Sequence, residues 1–252
     1  MYENIARIGS CVLAVLWPCS AVQAEDDICH IDDLGDLTPG ELKTKISLMH
    51  IWQGAVGGVN TKNADRITSL YDLDFYYLIH GEKTKDRNGD YALLAVSTQA
   101  AFGRGINDSK VGSFFEINEN AKGDIGLIAD KVFVEFTAFD RVLKFNVGKM
   151  DLLDYFDCSA VASDEKEQFI AYPFYHNPAI PFPGKGLAVR AFWQTGDFWY
   201  AQAAVADAQG DKRETGFNTA FHDEDYFFSV AEVGIRPNLF HKSGTYRFLT
   251  WL

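Results

Sequence analysis

A chain of 252 residues, 47% hydrophobic and 14% aromatic, is long and apolar enough to form one sizeable folded unit, and its composition excludes a disordered protein. A formal charge of −12 with no basic stripe excludes nucleic acid and anionic lipid headgroups as partners, because a phosphate-binding face needs clustered Lys and Arg.

Residues 1–24 have the form of an export signal: Arg7 in a short charged start, an apolar run over 8–17, the breaker Pro18, and small residues at Val22 and Ala24. Cleavage is expected after Ala24, and the alternative is a buried N-terminal helix. Bulky Trp17-Pro18 before Cys19 argues against lipidation. The mature chain would keep Cys29 and Cys158, an even count that allows a disulfide in an exported protein or two unpaired thiols. Residues 25–50 read as an acidic lead-in, where Thr38-Pro39-Gly40-Glu41 has the form of a capping box and predicts a short helix over 39–47.

From residue 51 onward the chain reads as β-structure. A Gly-rich first strand is expected over 51–60. The clearest alternation follows over 70–79, where Tyr71, Leu73, Phe75, Tyr77 and Ile79 oppose Leu70, Asp72, Asp74 and Tyr76. Aspartate falls where a soluble core would need apolar groups. Residues 91–102 set Ala92, Leu94, Val96, Ala100 and Phe102 against Ser97 and Gln99. Residues 131–138 set Val132, Val134, Phe136 and Ala138 against Phe133, Glu135 and Thr137. After the short turn Phe139-Asp140-Arg141, the strand 142–149 sets Leu143, Phe145 and Val147 against Val142, Lys144 and Asn146. Four prolines within 173–183 exclude a helix or central strand there, so 150–186 is one long connection, of the kind that carries function. Beyond it, Ala188, Arg190, Phe192 and Gln194 share one face of a strand, and Tyr200, Gln202 and Ala204 share one face of the next. Two more strands are expected over 226–235 and 244–252. Short turns alternate with long polar loops, the asymmetry of the two ends of a membrane barrel.

Three stretches carry a resemblance: Val147-Gly148-Lys149-Met150-Asp151-Leu152-Leu153-Asp154-Tyr155-Phe156-Asp157, then Asn177-Pro178-Ala179-Ile180-Pro181-Phe182-Pro183-Gly184, then Arg213-Glu214-Thr215-Gly216-Phe217-Asn218-Thr219-Ala220-Phe221-His222. In these the chain resembles the carbohydrate-selective porins of the OprB type, over a length from about Leu34 to the last residue. The resemblance implies an all-β, antiparallel transmembrane barrel of about sixteen strands, of which the roughly nine expected here, over 51–252, would be the N-terminal portion. It also implies a long loop that turns inward to constrict the pore, and diffusion of mono- or oligosaccharides across the outer membrane without catalysis. Homo-oligomers are compatible with it.

Alternation alone places Asp72, Asp74, Glu135, Lys144, Asn146, Arg190, Tyr200 and Gln202 on the wetted face, where mixed charge, amide and phenol groups can exchange hydrogen bonds with sugar hydroxyls. The resemblance implies an eyelet of Arg, carboxylates and aromatics, for which Arg190, Glu135, Asp151 and Asp154 are the candidates. Phe156, Tyr172, Phe174 and Tyr175 would either stack on sugar rings or anchor the loop to the wall. The six histidines, His30, His50, His80, His176, His222 and His241, have no metal-ligand spacing, and neither a nucleophile elbow nor a phosphate loop occurs, so no cofactor is expected. The competing reading is a secreted β-sandwich that binds or hydrolyses sugars, in which the same apolar face would be a core.

Overall fold

The computed structural model describes residues 34–56, 64–84, 89–159, 162–221, 226–239 and 242–252. The expected export signal and Cys29 lie outside the described residues. Nine strands form one antiparallel meander in the order β1 (Leu42–Gly54), β2 (Asp65–Gly81), β3 (Tyr91–Phe102), β4 (Ile125–Ala138), β5 (Leu143–Met150), β6 (Gly186–Gln194), β7 (Trp199–Asp207), β8 (Phe227–Ile235) and, after the small ribbon β9 (Asn238–Leu239) with β10 (Lys242–Ser243), β11 (Tyr246–Trp251). Each strand of the sheet pairs with its neighbour in sequence, as hairpins dictate. Among the described residues no second sheet packs face to face on this one, so the sandwich reading does not hold.

Two strands start earlier than expected, β2 at Asp65 rather than 70 and β4 at Ile125 rather than 131, and one stretch differs in kind. The stretch 39–47 is not a helix, because β1 begins at Leu42 and pairs with β2 from Leu42↔Tyr77 to Gly54↔Asp65. The contacts that suggested a capping box do form: the Thr38 backbone N–H and hydroxyl donate to Glu41 Oε2 at 2.9 and 3.0 Å. They close a turn that enters a strand, because the alternation of Leu42, Thr44, Ile46 and Leu48 with Lys43, Lys45 and Ser47 has the period of a sheet. The first strand therefore starts nine residues earlier than the 51–60 reading placed it (51 − 42 = 9).

The sheet is inverted relative to a soluble one. Its outward residues are apolar and exposed, among them Leu48, Ile67, Ile79, Leu127, Val147, Val189, Val233 and Phe248. Its inward residues include Asp72, Gln99, Glu135, Asn146, Arg190, Gln202 and Glu232, all buried. Outward aromatics collect near both strand ends: Phe136, Phe145, Trp193, Trp199 and Tyr246 beside the short turns, Trp52, Phe102 and Phe227 beside the long loops. An apolar band between two aromatic girdles suits lipid contact. The turns 139–142 and 195–198 close one end, whereas 103–124, 151–185 and 208–226 crowd the other.

The loop 151–185 folds across the inner face. Leu152, Tyr155, Phe156 and Ile180 pack with Ala95, Phe133, Met150, Ala188, Ala204, Phe228 and Val230 of the wall in one buried cluster. Burying such side chains stabilises by roughly 1.5–3 kcal/mol each, which holds a proline-rich segment that has few ladder hydrogen bonds of its own. Cys158, buried in this loop, is disulfide-bonded, while the pairing with Cys29 lies outside the described residues.

Candidate functional site

A polar girdle runs across the inner wall under the loop. Cross-strand register sets it up, since Glu135 faces Asn146, Asn146 faces Arg190 and Gln202 faces Glu232. Tyr91 Oη donates to Glu135 Oε1 at 2.6 Å and Asn146 Nδ2 donates to Glu135 Oε2 at 2.8 Å. Arg190 donates through Nη1 to Asn146 Oδ1 at 2.9 Å, and through Nε and Nη2 to Gln202 Oε1 at 2.9 and 2.7 Å. Gln202 Nε2 donates to Glu232 Oε1 at 2.9 Å and to the Tyr155 carbonyl of the loop at 2.8 Å. Tyr200 Oη donates to Glu232 at 2.8 Å and accepts from Arg247 Nε at 2.7 Å. The Arg190 guanidinium lies 4.4 Å from the Tyr155 ring centre and 5.1 Å from that of Phe192. Glu135 is 1% exposed and Asn146 0%, so the bonds between wall residues stand in for water, and the loop is their lid.

Beside the loop a second group of charges surrounds a cavity of about 240 Å³. Asp72 accepts from Gln99 Nε2 at 2.8 Å and pairs with Lys166 at 2.5 Å. Lys131 pairs with Asp154 at 2.7 Å, and Lys185 pairs with Asp130 and lies 3.9 Å from Asp151. Asp74, Glu119, Tyr172, Tyr175 and His176 also line it. A bulge makes this possible: Ser97 faces Lys131 while Thr98 faces Ala129, so Asp130 is an extra residue and both it and Lys131 reach the cavity.

Burial, then the neighbouring Asp154 charge, raises the Asp151 carboxyl above its ordinary value against the pull of Lys185 and Lys131. Lys185 is raised, because the Asp151 and Asp130 carboxylates outweigh its own burial. Burial first, then nearby carboxylates, pushes the Tyr172 and Tyr175 phenols up, so both remain hydrogen-bond donors at neutral pH. The cavity therefore offers fixed donors and acceptors of both signs, suited to a neutral solute rich in hydroxyls. A conduit for phosphate would need Lys and Arg without the carboxylates.

The structure thus divides the residues named from sequence. Asp72, Asp74, Asp151 and Asp154 meet at the cavity, whereas Glu135, Asn146, Arg190, Tyr200 and Gln202 form the covered girdle. Lys144 belongs to neither and sits near the short turns with its ammonium 5.9 Å from the Phe192 ring centre. Of the loop aromatics, Phe156 is fully buried as an anchor, Tyr172 and Tyr175 line the cavity, and Phe174 is exposed. Sequence reasoning missed Lys131, Lys166, Lys185, Glu232 and Arg247. Alternation could have found Glu232 and Arg247, whereas the bulge hides Lys131 and no period marks Lys166 or Lys185.

A family model described as carbohydrate-selective porin, OprB family, matches residues 84–252, more than half of the chain. Among solved structures the chain is similar to Pseudomonas putida OprB, determined at high pH, with a TM-score of 0.62 at 13% sequence identity over 87% of this chain and 52% of that one. The chain therefore spans about half the length of the porin it matches, and at this identity the likeness is one of fold. No curated protein matches. With a meander of antiparallel strands, an apolar outer band and an inner polar wall covered by a long loop, this chain belongs to the carbohydrate-selective porin, OprB family.

Proposed function

We propose that the chain, exported through a cleaved signal over 1–24, forms wall and constriction of an outer-membrane channel through which sugars diffuse down their gradient. The inverted sheet carries this reading: apolar residues face outward over the strands while Asp72, Glu135, Asn146, Arg190 and Gln202 face inward. Mono- or short oligosaccharides are the solutes, passing the cavity edged by Asp72, Asp74, Asp151 and Asp154, with Arg190 and its partners holding the loop that sets the aperture. No catalytic step is part of this reading, and binding must stay weak for conduction. The test is single-channel conductance of the refolded chain in a planar bilayer with and without glucose or maltose. Discrete steps reduced by sugar support it, and sugar-insensitive steps or none refute it for this chain.

A further inference from the structure

The stretch 213–222, which carries part of the family resemblance, has no task in the diffusion reading. Its described part lies against the outside of the wall. Lys149 of β5 and Leu187 of β6 face each other across the ladder, on the outward side that they share with Val147 and Val189, and loop 208–226 covers both. The buried Lys149 ammonium donates to the carbonyls of Lys212 and Glu214, and a Cβ built on Gly216 would lie 3.0 Å from Leu187 Cγ. Gly216, at φ 95°, and Ala220, four residues on, are both buried, so small residues let the short helix α1 (Phe217–Ala220) lie close to the wall. One residue beyond each of them, Phe217 and Phe221 stack at 6.3 Å with planes 19° apart and are 66% and 71% exposed. The polar side chains of the turn are satisfied within it: Thr215 Oγ1 donates to Asn218 Oδ1 at 3.1 Å, Asn218 Nδ2 donates to Glu214, and Thr219 Oγ1 donates to the Gly216 carbonyl at 3.1 Å.

We propose that this turn is an interfacial anchor, whose Phe217 and Phe221 rings sink into the hydrocarbon margin of the outer leaflet beside the barrel. The proposal rests on the reading of the sheet as a membrane wall and gives loop 208–226 a task apart from the pore. Height along the wall selects lipid as the occupant. Leu187 is one residue beyond the row Ala188, Ala206 and Phe228, hence level with Asp207 and Phe227. Phe227 is an exposed member of the outward aromatics beside the long loops, so the turn sits at the level of that girdle, where aromatic rings favour the boundary between hydrocarbon and headgroups. Size excludes a second copy of the chain. Two phenyl rings bury roughly 300–500 Å² together, against about 800 Å² per partner in a standard protein interface. Water has no attraction for such a stacked pair, and lipid does. Lys149 and the Gly216 contact fix the height of the turn, so the rings need no further ordering on meeting the bilayer.

The test puts the photoreactive residue p-benzoylphenylalanine, one position at a time, in place of Phe217, Phe221, Phe227 and Phe174. Each chain is refolded into vesicles of dioleoylphosphatidylcholine, irradiated, and its adducts are identified by mass spectrometry. All four side chains are exposed, so the exchanges leave the core untouched. Phe227 in the outward girdle is the lipid reference, and Phe174, on the loop that folds across the inner face, is the aqueous one. Lipid adducts from 217 and 221 in a yield comparable with that from 227, and none from 174, are expected. Adducts from 227 without any from 217 or 221 overturn the anchor and leave the membrane wall standing. Equal lipid yield from 174 overturns it as well, because any exposed ring would then meet lipid. Crosslinks between two copies of the chain through 217 or 221 overturn it in favour of a subunit contact. Adducts from none of the four positions refute the wall and the anchor together.

Discussion

Replacing Arg190 with Met removes the guanidinium that joins the wall to the loop while keeping much of its apolar stem. The structure assigns it three hydrogen bonds, to Asn146 and twice to Gln202, and a face against the Tyr155 ring. Breaking one partner out of a buried charged network costs roughly 3–5 kcal/mol, because Asn146 and Gln202 lose a donor where water cannot easily replace it. Gln202 also holds the Tyr155 carbonyl, so the loss should fall on the docked loop as much as on the strands. At about 1.4 kcal/mol per decade, amide protection around Leu152 and Phe156 is expected to fall on the order of 10²–10⁴-fold. Hydrogen exchange read by mass spectrometry on R190M in micelles measures this directly. Unchanged protection of the loop, with the strands equally protected, would refute the idea that Arg190 acts as a clamp and would return it to the role of a solute ligand.

Lys149 donates to three backbone carbonyls, of Ala129, Lys212 and Glu214, at 2.8, 2.7 and 2.6 Å. K149M should release loop 208–226 from the wall, at a cost of roughly 3 kcal/mol or more, seen as new protease cleavage between β7 and β8. Gly148 has φ 143°, and a Cβ there would lie 2.4 Å from the Val132 carbonyl oxygen and 2.6 Å from Phe133 Cα. G148A should therefore separate β4 from β5 locally and lower the thermal midpoint of the refolded chain, whereas an unchanged midpoint would mean the backbone there adapts. The raised Asp151 carboxyl has a defined sign: the folded protein holds this proton more tightly than the unfolded chain, so its contribution is fully present below the ordinary aspartate value of 3.8 and is lost as pH rises through the higher folded value. D151N keeps the acceptor that caps Leu153 and removes the charge, so its denaturation midpoint at neutral pH should exceed that of the parent, with a weaker acid dependence. An identical pH profile for the two would count against a partly desolvated carboxylate repelled by Asp154.

Strand existence and facing were legible because alternation has a period of two whatever surrounds it. Asp72, Asp74, Glu135, Asn146, Arg190 and Gln202 sit among apolar neighbours at even spacing, and one face of each strand had to be wet. Where alternation breaks, the short turn at 139–141 was legible too, and the prolines within 173–183 marked the long connection 150–186. The start of β1 was misjudged because Thr38-Pro39-Gly40-Glu41 makes the same local contacts before a strand as before a helix. Only pairing with β2, 20 and more residues away for most positions, decides between them.

What the amino-acid order determined by itself is the inverted sheet: apolar outward, polar inward, with a loop after β5 that proline keeps out of any ladder. Where that loop goes was decided by tertiary structure. Phe156 and Ile180 fall into the wall cluster because the inner face carries small or apolar groups at Ala95, Ala188, Ala204 and Val230. That docking turns a set of wetted wall residues into a buried girdle, and it brings Lys166 and Lys185 to Asp72 and Asp130, partners 94 and 55 residues distant in sequence. Periodicity reports which side a residue faces. It carries no information about what covers that side, since such contacts depend on the path of a segment that has no period of its own.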